Sequence, residues 1–189
     1  MNRRIVWTLV VLATVASGCS EGSQATPACS RPDSSIIVLE AQSVPSATLL
    51  PCIADLPIGW SFAGMEARND ETVFWLDHDR AGIHSVEVVV RDSCDISSAV
   101  EIPPSPDEAG MRIYQQPTTL EPAFSGSRFQ VFEGGCIEYR YSFSDDADPT
   151  LVIEADQALS TVPRSDLVTA VHDQFGLILC GAGAPPCEG

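Results

Sequence analysis

Apolar and polar residues alternate through residues 57–92 in a pattern that predicts a three-stranded antiparallel meander. Trp60, Phe62 and Gly64 alternate with Ser61, Ala63 and Met65, and Asn69-Asp70 supplies a turn. The second run, residues 73–78, is apolar on both faces through Phe74-Trp75-Leu76, as a central strand packed on each side would be. Asp79-Arg80-Ala81-Gly82 turns the chain into residues 84–91. There Val86, Val88 and Val90 mark one face, Ser85, Glu87 and Arg91 the other, and Val89 breaks the alternation.

Residues 128–143 form two β-rich runs around Gly134-Gly135. A Gly-Gly loop would set Val131 opposite Glu138 and Phe129 opposite Arg140, mixing apolar with charged residues. A three-residue loop, Glu133-Gly134-Gly135, instead sets Phe129 against Tyr139 and Val131 against Ile137, with Gln130 and Glu138 outside. It is the expected register because it separates core from solvent. Ile36-Ile37-Val38-Leu39, within residues 34–40, predicts a further short strand. Asp148 and Pro149 open a helix carrying Leu151, Ala155, Ala158 and Leu159. A second helix over residues 165–175 presents Leu167, Val168, Val171 and Phe175 and stops at Gly176, before a last strand or pinned tail at residues 177–180. Residues 101–127, rich in proline, predict loops with one short strand at 112–115 and a candidate binding region. Together these elements predict an α+β fold: an antiparallel sheet of about five to seven strands with one or two C-terminal helices, in a single domain over residues 34–189.

The first 18 residues follow a different logic. Arg3 and Arg4 precede an uncharged apolar run from Ile5 to Val15, and Ala16-Ser17-Gly18 leads into Cys19, the order of a secretory signal peptide. With the cysteine at the cut site, the segment resembles the lipobox of bacterial lipoproteins, although Ala16 stands where leucine is usual. The resemblance covers residues 1–19. It implies that Cys19 is lipidated, that the chain is anchored on the extracytoplasmic side of a bacterial membrane, and that the membrane is met through this lipid alone. Ordinary cleavage, leaving Cys19 in a free tail, is the alternative. Residues 19–33 have linker composition and predict a flexible tether.

Removing residues 1–18 takes two of the ten basic residues and none of the 26 acidic ones, so the mature chain carries 8 positive against 26 negative charges, a net −18. Such a field repels phosphate backbones, which argues against a nucleic-acid partner. With Cys19 lipidated, Cys29, Cys52, Cys94, Cys136, Cys180 and Cys187 remain, an even set that predicts three disulfides in an oxidising compartment. Cys94 and Cys136 are expected to pair across the proline-rich stretch, leaving Cys29 and Cys52 to share Cys180 and Cys187.

The most chemical-looking cluster is Asp77-His78-Asp79 with His84 beyond the turn, the weak candidates for a hydrolase or divalent-cation site. Alternation points His78 away from its two neighbours, which favours a solvated hairpin tip. Asp145, Asp146 and Asp148 lack the order of a calcium loop. His172 follows the apolar Val171 and reads as a surface or partly packed residue. From Cys19 onward there is no Gly-x-Ser-x-Gly elbow, and no Ser-x-x-Lys because lysine is absent. The reading that follows is a non-enzymatic module binding an envelope protein or small ligand, with no cofactor and no metal. An envelope-acting hydrolase using Asp77, His78, Asp79 and His84 is the alternative.

Overall fold

A seven-stranded antiparallel sheet dominates the computed structural model, which describes residues 25–31, 34–119, 123–145 and 147–181. β2 (Trp60–Arg68), β3 (Glu71–His78) and β4 (Gly82–Arg91) are the expected meander. The chain then crosses to the far edge as β5 (Val100–Ile102). It returns through β6 (Arg112–Thr119) and β7 (Ser125–Phe132) to β8 (Gly135–Ser142), which closes against β4. A separate two-stranded sheet pairs β1 (Leu49–Ile53) with β9 (Leu159–Pro163), and three helices, α1 (Ser35–Ser43), α2 (Leu151–Ala158) and α3 (Arg164–Phe175), complete the described elements. The α+β class, the antiparallel sheet and the C-terminal helices are as the sequence predicts.

The two faces of the large sheet are covered differently. On the front, Phe74, Leu76, Val86, Val88, Val90, Ile137, Tyr139 and Tyr141 meet Ile37 and Ala41 of α1, Leu50 of β1, Leu151 and Ala155 of α2 and Leu167 and Val171 of α3 in one buried core. On the back, a smaller cluster joins Tyr114, Phe129 and Cys136 to Cys94, Ile96 and Ala99. The latter three belong to the crossing from β4 to β5. The Cys94–Cys136 disulfide holds this crossing against β8 and closes a loop with a sequence separation of 42, which is the pairing expected from the sequence.

This second apolar cluster overturns the expected hairpin register. Phe132 pairs with Gly135, Val131 with Cys136 and Phe129 with Glu138, so the turn is Glu133-Gly134. Phe129 and Val131 serve the back cluster, while Ile137 and Tyr139 on the next strand serve the front core. Sorting all four onto one face assumed a one-sided sheet. Gly134, at φ 75, also docks the turn against residues 46–48: a Cβ there would lie 2.0 Å from the Ser46 carbonyl oxygen, and the Thr48 hydroxyl donates to Glu133 O at 2.6 Å.

Further expectations are corrected. Residues 34–40 are not a strand; Ser34 caps α1 and the rest belong to it, and its buried Ile37, Glu40 and Ala41, with Val44 at its C-cap, fall at i, i+3, i+4 and i+7 on one helix face. Glu40 hides that stripe in the sequence. The tether does not extend to residue 33, because Ile53 N–H donates to Pro27 O and Cys29 N–H to Ile53 O, docking this segment on β1. That docking brings Cys29 beside Cys52, and the two are disulfide-bonded to each other rather than to the C-terminal cysteines. Cys180 is also disulfide-bonded; Cys187 and Cys19 lie outside the described residues. At the C-terminal end, α3 stops at Gly176 with φ 65, as expected, and residues 177–180 form a pinned tail with Leu179 buried. Asp148 is not the N-cap expected of it: Thr150 caps α2, Asp148 accepts Thr150 N–H at 2.9 Å from two residues before, and Leu159, expected in the helix, opens β9.

Candidate functional site

The four residues singled out in the sequence do not converge. His78 is buried, and its Nδ1 accepts the backbone N–H groups of Arg80 at 3.1 Å and Ala81 at 3.2 Å, so that nitrogen organises the β3–β4 turn. Its ring lies 4.7 Å from the Trp60 ring. Asp77 accepts His84 N–H at 2.7 Å, a contact that supports His84 at φ 51. The exposed His84 ring stacks on Trp75, at 5.0 Å and 18°. Asp79 is exposed, and its N–H donates to Gly59 O. This is the chemistry of a turn. Among the described residues no group of three or more His, Cys, Asp or Glu could hold a metal ion; Asp146 lies outside them.

A groove opens elsewhere, where α2 lies over the front of β6, β7 and β8. Its larger lobe, about 490 Å³, is floored by Arg128, Gln130 and Tyr139 and walled by Glu108, Asp156 and Ser160 among others. The second lobe, about 370 Å³, is walled by Phe124, Pro149 and Val152 and floored by Gln115 and Tyr141. Arg128 and Asp156 line both lobes. Both volumes fall in the range of small-molecule sites.

Each polar group is positioned by its element. Arg128 and Gln130 face the front because β7 gives Phe129 and Val131 to the back. A 3₁₀ turn, Pro106–Glu108, brings Glu108 over them through a capping box: Glu108 accepts from Ser105 N–H at 2.9 Å and the Ser105 hydroxyl at 2.8 Å. Its other oxygen takes Arg128 at 2.6 Å and Gln130 Nε2 at 2.9 Å. The Tyr139 hydroxyl donates to Gln130 Oε1 at 2.9 Å, completing a chain of satisfied groups. Burial alone would raise the Glu108 pKa, but the hydrogen bonds from Ser105, Arg128 and Gln130 outweigh it and hold the carboxyl at about 2. Asp156 is the contrast. Burial pushes its pKa up, opposed by the Tyr141 hydroxyl that donates to Oδ1 and by the charge of Arg128. Tyr141 and Tyr139 are raised as well, chiefly by burial and then by the neighbouring Asp156 charge.

Part of this site lies in the stretch expected to carry binding: Ser105, Glu108, Gln115 and Phe124 all come from residues 101–127. Asp156, Arg128 and Gln130 were missed. The available signals were Ser105-x-x-Glu108, which is a capping box, and an aspartate immediately after Ala155 on the apolar stripe of α2.

Comparison with known proteins adds no family: no family model matches the chain, and no curated protein or solved structure matches it. Among the described residues no helix is long and apolar enough to cross a membrane.

Proposed function

We propose that this chain is a lipid-anchored binding module on the extracytoplasmic side of a bacterial membrane, attached through Cys19 and taking a small ligand or a segment of an envelope component in the groove beneath α2. The groove is the observation that carries the reading. It has two lobes of binding-site size that share a charged pair, and its polar floor is already satisfied internally and so preorganised to receive a ligand. The lipobox of residues 16–19 supports the anchor, and the disulfides suit an oxidising compartment. One acyl chain alone anchors marginally, so stable attachment implies more than one. The hydrolase alternative rests on four side chains that the fold distributes over a turn and an exposed ring stack.

Two measurements test the proposal. Cys19→Ala should release the protein from the membrane fraction; unchanged membrane association and unchanged N-terminal mass would reject the anchor. A photo-crosslinking residue at Gln157, on the groove wall, should capture a saturable ligand in the envelope, while the same residue at Glu71, on the opposite face of the sheet, should not. Equal capture at both positions would reject the groove as the binding site.

A further inference from the structure

Resting on the reading of the groove as a ligand site, we propose that its ligand is an organic cation with an apolar or aromatic neighbour. An ammonium or guanidinium group sits on the Asp156 carboxylate where the lobes meet, and the apolar part fills the lobe lined by Phe124, Pro149 and Val152. Arg128, the cation of the groove, is already engaged by Glu108 at 2.6 Å, with side chains only 18% and 8% exposed. An anionic ligand would compete with Glu108 for that guanidinium and would meet the carboxylates of Glu108 and Asp156 beside it. Asp156, by contrast, receives one hydrogen bond among the described residues, from the Tyr141 hydroxyl on Oδ1, and is in no ion pair with another described residue, Arg128 acting on it only through its charge. The unmet demand in the groove is for positive charge.

Two further observations point the same way. The Phe124 and Tyr141 rings, 6.1 Å apart, border the second lobe and make its wall aromatic, a surround that suits a cation or an aromatic group. The net charge of the mature chain, −18, draws cations towards it.

Binding has a proton signature. Burial favours the neutral form of Asp156, and the groups facing it are Tyr139 and Tyr141 from β8, Arg128 from β7 and Glu108 from the 3₁₀ turn. A bound cation stabilises the carboxylate, so binding strengthens as pH rises through the range in which Asp156 titrates and releases protons within that range.

The test uses three probes of one shape on the mature chain: phenethylammonium, 2-phenylethanol and 3-phenylpropanoate, titrated by calorimetry and followed by amide chemical shifts of groove residues. Phenethylammonium should bind best, releasing protons in a buffer-dependent heat. Asp156→Asn should weaken it about tenfold or more, corresponding to one charge-assisted hydrogen bond. Asp92→Asn, exposed just past the end of β4 and outside the groove, should change it less than about twofold. Val152→Trp, which fills the apolar lobe and leaves the Asp156 carboxylate in the chain, should abolish binding and covers the case in which Asp156→Asn disturbs the fold. Preferred binding of 3-phenylpropanoate, or equal binding of the alcohol with no effect of Asp156→Asn, would overturn the cation while keeping the groove as a ligand site. No binding and no shift changes with any probe would overturn both.

Discussion

The two faces of the seven-stranded sheet handle charge in opposite ways. On the back, Glu71, Glu87, Arg91, Glu138 and Arg140 form a ladder across β3, β4 and β8, in which Arg91 bridges Glu71 and Glu138, and Arg140 bridges Glu138 and Glu87. Every member has a partner and most retain contact with water. On the front, besides the Arg128–Glu108 pair of the groove, two charged residues are buried with no counter-ion among the described residues. Arg164, at 1% exposure, donates to the carbonyls of Ala41 and Cys180, and Glu40 is fully buried with both carboxyl oxygens lacking a hydrogen bond. The same residue types therefore differ in energetic weight according to the layer that covers them. The back face should tolerate losing a charge, and the front should respond strongly, in either direction.

The largest effect should come from the link that gives the back face its cover. Replacing Cys94 and Cys136 together with Ala frees the crossing between β4 and β5 and should cost about 4 kcal/mol by chain entropy for a loop of this length. Urea unfolding of the oxidised double variant measures it. A loss below about 1 kcal/mol would mean that the back cluster holds the crossing unaided.

Arg164→Met comes next. Its guanidinium ties the last turn of α1 to the C-terminal tail. Gly181 is required beside it, at φ 115, because a Cβ would run into the Pro45 carbonyl oxygen and the Arg164 guanidinium. Burial opposes its charge and lowers its pKa, yet removing it takes a charged donor from the buried Ala41 carbonyl and another from the part-buried Cys180 carbonyl. With hydrogen bonds from a charged donor worth roughly 1.5–3 kcal/mol each, a net loss of about 3 kcal/mol is expected. A neutral or stabilising result would place Arg164 with the replaceable charges of the back face.

Glu40→Met should act in the opposite direction. Burial raises the Glu40 pKa well above its usual value, so the folded state prefers the neutral acid. The stability this group allows is fully present below the unfolded carboxyl pKa, near 4.3, and is lost as pH rises towards the folded value. Methionine removes that dependence, so the variant should gain about 1–3 kcal/mol at pH 7 and less at pH 4. A gain that does not grow with pH would show that Glu40 is ionised and paired. Thermal unfolding across that range is the measurement.

The meander was legible because its turns are written in short polar residues and its strands keep a period of two. α3 was legible because Gly176 marks its end. Other elements were hidden by residues that break the simple pattern for a tertiary reason. Glu40 interrupts the apolar stripe of α1, leaving Ile36-Ile37-Val38-Leu39 to resemble a strand. In β7, Phe129 and Val131 are apolar for the sake of a back cluster that exists only once the crossing is laid over the sheet, and nothing local encodes that. The Cys29–Cys52 bridge was hidden with β1, whose edge takes up a segment of linker-like composition. The groove was half visible: residues 101–127 supply much of its wall, while Asp156 and Arg128 become neighbours only through the packing of α2 on β7 and β8.

The smallest expected effect is the sharpest check on the comparison. Glu87 accepts Trp75 Nε1 at 2.9 Å and pairs with Arg140 at 2.5 Å, with side chains 29% and 40% exposed. Glu87→Gln keeps a hydrogen-bond acceptor for the indole and leaves Arg140 its second partner, Glu138, at 2.7 Å. Solvent screens what is removed, so the loss should stay below about 1 kcal/mol. It should fade towards zero near 1 M salt, where the screening length is about 3 Å. Paired urea titrations at low and high salt measure the difference. A loss above about 2 kcal/mol, or one that salt leaves unchanged, would mean that the ladder behaves as a buried network, and the contrast between the two faces would disappear.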